Sequence, residues 1–129
     1  VVGDNVTIHR DVLLDDRGGI VIGDNVSISD RVHAYSHQHC ITDAKVVTLI
    51  PTIIEDGARL TYHATILAGT RVGHDSMVGT CGVLTKDTRP HAIHVGIPAK
   101  KIKEKREKCE FCQRRHNLEC YLDLEAKKQ

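Results

Sequence analysis

Aliphatic residues recur at every sixth position over most of the chain, and a small or β-branched residue follows most of them four positions later. In the first block these aliphatic positions are Val2, Ile8, Leu14, Ile20, Ile22 and Ile28, with a slip of two residues after Gly18-Gly19. The pattern breaks from about Tyr35 to Thr52. It returns at Ile54, Leu60, Ile66, Val72, Val78 and Leu84. A fixed six-residue period predicts a solenoid, whereas the strands of a sandwich would recur at longer spacings.

Each six-residue unit supplies one short strand and one tight turn. The aliphatic residue points inward, and the Gly, Asp and Asn residues between accept the positive φ that turning requires. Three units close one triangular coil, and roughly four stacked coils fit the chain. With one Phe, three Tyr and no Trp, the core must consist of aliphatic ladders. We therefore predict an all-β solenoid.

The pattern divides the chain into a β-helix domain, residues 1–99, and a tail, residues 100–129. The non-repeating segment 35–52 is predicted to be an excursion loop, and function resides more often on such loops than on regular strands. The tail turns charged and helix-favouring after Pro98, so we expect an α-helix running to about Ala126. Because the only Met is Met77 and the chain starts inside a repeat, we expect it to be part of a longer protein.

Charge and hydropathy exclude several classes. The formal net charge is +1, and residues 100–129 hold 10 Lys and Arg against 6 Asp and Glu. A nucleic-acid binder needs a denser basic patch and stacking aromatic residues. No apolar run reaches the roughly 18 residues of a membrane span, and nothing resembles a secretory signal. We expect a cytoplasmic protein whose five cysteines are reduced.

The tail contains four soft donors, Cys109, Cys112, His116 and Cys120. Four such ligands are enough for a closed zinc site. On one continuous helix, however, they would extend over about 16 Å, so a single ion would require a break in that helix. The alternative is an apolar stripe that packs against the solenoid or a neighbouring tail. We expect the function of the protein to require no metal.

The hexads, together with segments 16–23, 35–39, 83–87 and 95–99, resemble the hexapeptide-repeat O-acetyltransferases of the galactoside, maltose and surface-polysaccharide types. The resemblance covers residues 1 to about 103. It implies a left-handed parallel β-helix, an exception to the usual right-handed crossover. It also implies a homotrimer whose active sites lie between subunits and transfer an acetyl group from acetyl-coenzyme A to a saccharide hydroxyl.

Acyl transfer to a hydroxyl needs a base, and imidazole titrates near neutral pH. The loop region offers His33, His37 and His39. The family's catalytic His stands seven residues after the last aliphatic residue of its rung, which here is Val32. The resemblance therefore implies His39 as general base, with His37 as the reserve candidate.

The same resemblance implies contacts to both substrates. Those to acetyl-coenzyme A would come from Tyr62, Thr80, Thr85, Lys86, Lys100 and Lys103, with the last two toward its phosphates. Those to the acceptor would come from Asp11, Asp15 and Asp16. Each of these residues also has a purely structural interpretation. Threonine is common in ordinary strands, lysine is common on solvated surfaces, and aspartate is common in ordinary turns.

The chain departs from the galactoside type beside the expected thioester. That type has Trp followed by Ile-Gly-Ser, whereas this chain has Arg59 followed by Leu60-Thr61-Tyr62. The Tyr62 phenol either supplies an oxyanion donor from a shifted position or narrows the channel.

Three alternatives stay open at this stage. An N-acetyltransferase would use the same donor. A non-catalytic trimeric scaffold would bind a partner through its C-terminal helix. A hydratase like the γ-type carbonic anhydrases would need zinc on His37, His39 and His63, yet Ala68 stands where that family's next His is expected.

Overall fold

Short parallel strands recur throughout residues 1–104, the part of the chain that this computed structural model describes. The strands are β1 (Thr7–Ile8), β2 (Leu13–Leu14), β3 (Ile20–Ile22), β4 (Ser27–Ile28), β5 (His33–Ala34), β6 (His37–His39), β7 (Val47–Leu49), β8 (Thr52–Ile54), β9 (Arg59–Leu60), β10 (Thr65–Ile66), β11 (Arg71–Val72), β12 (Met77–Val78), β13 (Val83–Leu84), β14 (Ala92–Val95) and β15 (Lys100–Glu104). Within residues 1–104 no helix is long and apolar enough to cross a membrane.

The strands build three faces of a prism. Face A has the order β3-β8-β11, face B the order β1-β4-β9-β12-β14-β15, and face C the order β2-β5-β10-β13. The chain visits faces A, B and C in turn, so each circuit is one coil, and four coils stack as predicted. On face B, Ile8 pairs with Ile28 and Leu60 pairs with Val78. The circuit from Ile8 to Ile28 is two residues longer than the circuit from Leu60 to Val78, because it contains the two-residue slip after Gly19.

Aliphatic ladders fill the interior, as the period predicted. The pairs Ile22 with Ile54, Ile28 with Leu60, and Ile66 with Leu84 stand directly above one another on faces A, B and C. All six side chains are at most 2% exposed. Residues with a left-handed backbone conformation form the corners. Asn25 and Asp75, for example, have φ of 58° and 55°, a conformation that Asn and Asp tolerate better than most residues.

The excursion leaves the coil after β5 and returns at β8. It contains an antiparallel hairpin of β6 and β7. Thr52 is fully buried and paired with Ile20, so the excursion ends at residue 51, one residue earlier than the sequence indicated.

The prediction of a helix starting near residue 100 is wrong for residues 100–104. These residues form β15, which pairs antiparallel with β14 at the end of face B. An open sheet edge exposes unpaired backbone groups, and satisfying them outweighs the helical propensity of this Lys- and Glu-rich segment. The rest of the predicted tail helix, with Cys109, Cys112, His116 and Cys120, lies outside the described residues.

Candidate functional site

The corner between faces C and A, which we call the loop corner, collects much of the predicted chemistry. The acidic turn with Asp15 and Asp16 follows β2 in the first coil, and the excursion follows β5 in the second. Thr85 and Lys86 follow β13 in the fourth coil. Because stacked strands lie about 4.8 Å apart, the loop is one rung from the acidic turn and two rungs from Thr85.

Ser36 fixes the root of the excursion, and its side chain is completely buried. Its hydroxyl donates to the carbonyl of Asp15 at 2.5 Å and accepts from the backbone N–H of Gly18 at 2.9 Å. The N–H of Ile50 donates to the Ser36 carbonyl at 2.9 Å. A Cβ on Gly18 would overlap that carbonyl oxygen, so only glycine lets the loop approach so closely.

His37 is enclosed by charged partners. Its Nδ1 donates to the Asp15 carboxylate, and its side chain is 11% exposed. The Arg17 guanidinium contacts the other Asp15 oxygen at 2.9 Å, and its Nη2 lies 2.6 Å from Nε2 of His37. The same Nη2 lies 2.9 Å from Nδ1, so the guanidinium stands close to both ring nitrogens. His37 is therefore an anchor in this arrangement and poorly placed as a base.

The electrostatics of Asp15 show how tightly this cluster is coupled. Burial alone would raise the pKa of its carboxyl, but the hydrogen bonds from Arg17 and His37 outweigh that effect and lower the pKa to about 2. With the loop in place, the carboxylate thus stays ionised down to about pH 2.

His39, in contrast to His37, lies in an exposed environment. Its ring is exposed, and Nδ1 lies 2.9 Å from the backbone carbonyl of Ala44. A carbonyl can only accept, so Nδ1 carries the proton and Nε2 of the neutral ring carries the free lone pair. Nε2 makes no hydrogen bond to any residue of the range 1–104. An oriented imidazole with an open nitrogen is what a general base requires.

The residues expected to bind the donor are distributed over three places near the C-terminal coils. Tyr62 and Thr80 are exposed at the corner between faces B and C in successive coils. Thr85 and Lys86 lie at the loop corner, on the opposite edge of β13. Lys100 and Lys103 belong to β15. Four of these six residues therefore lie at the two edges of face C, and the two lysines lie in the strand that ends face B.

Tyr62 is electrostatically linked to Arg59. Burial lowers the pKa of the Arg59 guanidinium, and the charge of Tyr62 opposes that shift. The bulky phenol is 48% exposed, so it projects from the coil instead of filling the interior.

The three acidic residues expected to contact the acceptor separate into two groups. Asp15 and Asp16 lie at the loop corner, whereas Asp11 lines an open cavity of about 460 Å³ at the corner between faces B and C. The other residues around that cavity are Arg31, His33, His63 and Thr65. His63 is therefore at a different corner from His37 and His39.

Sequence reasoning missed Arg17 and Ser36. Arg17 belongs to the turn that the resemblance quoted, but its contact with His37 depends on how the two-residue slip aligns the first two coils. Ser36 lies inside the quoted loop segment, and nothing in the period indicated that its hydroxyl would be buried.

The geometry defines a class: a parallel β-helix of hexapeptide repeats with an excursion loop that presents an oriented histidine. No protein-family model matches the chain. A maltose O-acetyltransferase from Clostridium difficile is 32% identical, with a TM-score of 0.77 over 82% of this chain and 59% of that one. A hexapeptide-repeat-containing acetyltransferase from Vibrio cholerae, solved with acetyl-coenzyme A, is 26% identical, with a TM-score of 0.78 over 82% and 60%.

Among curated proteins, the galactoside O-acetyltransferase of Escherichia coli is 26% identical over 78% of this chain and 48% of its own length. The chain thus spans about half of that relative. The helix is left-handed, as the resemblance implied. In sequence and fold the chain is similar to the hexapeptide-repeat acetyltransferases.

Proposed function

We propose that this protein transfers an acetyl group from acetyl-coenzyme A to a sugar hydroxyl, with His39 as the general base. The observation that carries the proposal is the exposed His39 ring, whose Nδ1 is held by the Ala44 carbonyl while Nε2 stays open. The similarity to sugar O-acetyltransferases and to a structure with acetyl-coenzyme A supports the donor and the acceptor class.

In the proposed reaction, Nε2 of His39 takes the proton of the acceptor hydroxyl as its oxygen attacks the thioester carbonyl. The tetrahedral intermediate collapses, the C–S bond breaks, and the imidazolium returns the proton to the departing sulfur. The products are an acetyl ester and coenzyme A. The hydrogen bond to Ala44 orients the ring and stabilises its charged form. The Asp15–Arg17–His37 cluster positions the hairpin that bears His39.

We further propose a homotrimer with sites between subunits, because the donor-binding candidates of one chain are divided between the two edges of face C and the end of face B. A neighbouring chain would then supply the second wall of the groove. In that groove Thr80, Thr85 and Lys86 line the pantetheine path, and Lys100 and Lys103 attract the phosphates. Tyr62 is the candidate donor to the oxyanion. Asp15 and Asp16 at the loop corner, and Asp11 at the next corner, are candidate acceptor contacts.

A cytoplasmic location accompanies this proposal, because acetyl-coenzyme A is an intracellular co-substrate. The described cysteines Cys40 and Cys81 are unpaired thiols, which accords with a reducing compartment.

The test measures coenzyme A release with galactosides, maltose and an amino sugar as acceptors. The enzyme forms are the unchanged protein, His39→Asn and a control, His9→Asn, which alters an exposed histidine in the first coil. We expect His39→Asn to lower kcat about 10²- to 10⁴-fold and the control to leave it unchanged. Product analysis separates O- from N-acetylation.

Two results would contradict the proposal. Unchanged turnover in His39→Asn would remove the general base. No turnover with any acceptor, by a folded protein, would favour a non-catalytic scaffold. Carbon dioxide hydration in that case would instead indicate the hydratase alternative.

A further inference from the structure

The corner between faces A and B carries a cluster that the proposed acetyl transfer does not use. His74, Asp75 and His91 place one ligand atom each within 4.8 Å of one another. Nδ1 of His74 lies 3.3 Å from Oδ2 of Asp75. The two imidazole rings meet edge to face, with centroids 4.8 Å apart.

The backbone fixes two of these residues at equivalent positions of successive coils. Asp75 and His91 both have left-handed backbones, with φ of 55° and 57°. The N–H of His91 donates to the carbonyl of His74 at 3.0 Å, which ties the turn before β14 to the turn before β12. The side chains therefore project from adjacent rungs, as ligands for one shared ion must.

The Asp75 carboxylate is positioned by the coil beneath it. A Cβ on Gly57 would overlap Oδ1 of Asp75, so the carboxylate occupies space that any other residue at position 57 would fill. The backbone of His74 is held as well, because its N–H donates to Glu55 at 3.1 Å. Glu55 in turn accepts from Arg71 at 2.9 Å.

Two imidazoles and a carboxylate form a donor set that suits Zn²⁺ and related first-row ions. Bonds of about 2.0 to 2.2 Å in a tetrahedron place ligand atoms roughly 3.4 Å apart. The 3.3 Å between His74 and Asp75 matches that value, and the other ligand atoms, which lie within 4.8 Å, would have to move closer by side-chain rotation. His74 and His91 are exposed, which leaves room for a water molecule as fourth ligand.

We propose that His74, Asp75 and His91 bind one divalent transition-metal ion, with Zn²⁺ as the representative species. The ion joins the turn before β14 to the fourth coil. Because the ligands converge only in the folded chain, binding stabilises the last rung of face B and its pairing with β15. The role is structural and independent of acetyl transfer.

The test uses full-length protein carrying Cys109→Ser, Cys112→Ser and Cys120→Ser, which removes the competing thiols of the tail. After treatment with a chelator, the protein is titrated with zinc chloride by calorimetry and its thermal unfolding is followed with and without zinc. We expect one ion per chain and a higher Tm with zinc. His91→Asn, in which Asn tolerates the left-handed backbone, should weaken binding at least tenfold, and Asp75→Asn should weaken it as well.

The control His9→Asn should bind zinc like its parent. Nitrogen NMR of the imidazoles locates the ion: the resonances of His74 and His91 should move on titration, and those of His9 should not. Absence of binding, or equal affinity in His91→Asn, would overturn the proposal. Movement of other histidines instead would do the same.

Discussion

Along the three faces, inward side chains from Ile28 to Leu84 are buried and repeat a neighbour one coil away, whereas residues 38–49 of the excursion are exposed and repeat nothing. The faces are stabilised by many similar contacts. The loop is held by a few polar ones, chiefly at Ser36 and His37. The regular part of the molecule thus supplies rigidity, and the proposed general base, His39, lies where the repeat is interrupted.

This difference implies that mutations in the two regions act differently. A change in a ladder should lower global stability, because the coils share one core. A change at the loop root should open the excursion locally and leave the coils folded. The following predictions test that division.

The largest effect on stability is expected from Ile22→Ala. Ile22 is 2% exposed in the face A ladder, where it pairs with Ile54, so its truncation should lower the free energy of unfolding by about 2 to 5 kcal/mol in urea denaturation. The matched control is Val21→Ala in the same strand, where the side chain is 43% exposed. Equal losses for both variants would contradict the ladder account.

A smaller effect is expected from Ser36→Ala. The variant leaves the partly buried carbonyl of Asp15 and N–H of Gly18 without the Ser36 hydroxyl, at a cost of about 1 to 3 kcal/mol. Hydrogen exchange should accelerate for the amides of β6 and β7 and stay unchanged for those of the three faces. Ser27→Ala, on the outer side of face B, serves as the control. Faster exchange throughout the coils would argue against local opening.

The anchoring of the loop should also depend on pH through Asp15. A carboxyl whose pKa is lowered to about 2 in the folded protein stabilises that state above its unfolded pKa of about 3.9. This contribution is lost as the pH falls from about 4 to 2. Amide exchange in the hairpin should show this loss in the unchanged protein and not in Asp15→Asn. A hairpin equally protected at pH 2 and pH 5 would refute the linkage.

The smallest effect is expected at His94, which continues the face B ladder directly above Val78. Burial, followed by the charge of Lys101, lowers the pKa of this imidazole, while Glu104 opposes the shift. Protonation of His94 is less favourable in the folded protein than in the unfolded chain. The free energy of unfolding should therefore fall as the pH drops below about 6.5. His94→Val should flatten this dependence in thermal unfolding. An identical slope in both proteins would contradict it.

The ladders could be predicted from the sequence because the six-residue period places each inward residue without reference to the rest of the chain. The place of the excursion followed from the same period. The contacts of His37 could not be predicted, because Asp15 and Arg17 reach it only across coils whose register contains a slip.

The structure of the C-terminal end of the β-helix could not be predicted from the sequence either. Val78 pairs with His94 after a shorter circuit of the chain than the one that joins Leu60 to Val78. The shortened last turn brings His91 over Asp75 and its ring beside that of His74, and no hexad spacing indicates this arrangement. The strand β15 depends on the free edge of β14, which is a property of the assembled sheet and not of the local sequence.

The central proposal is that the β-helix binds acetyl-coenzyme A through residues other than the loop base, His39. Its most direct test is a calorimetric titration of acetyl-coenzyme A into the unchanged protein and into His39→Ala. We predict saturable binding with the same affinity, within about a factor of three, in both. Absence of binding by the folded, unchanged protein would contradict the account, because no groove would then be open to the donor.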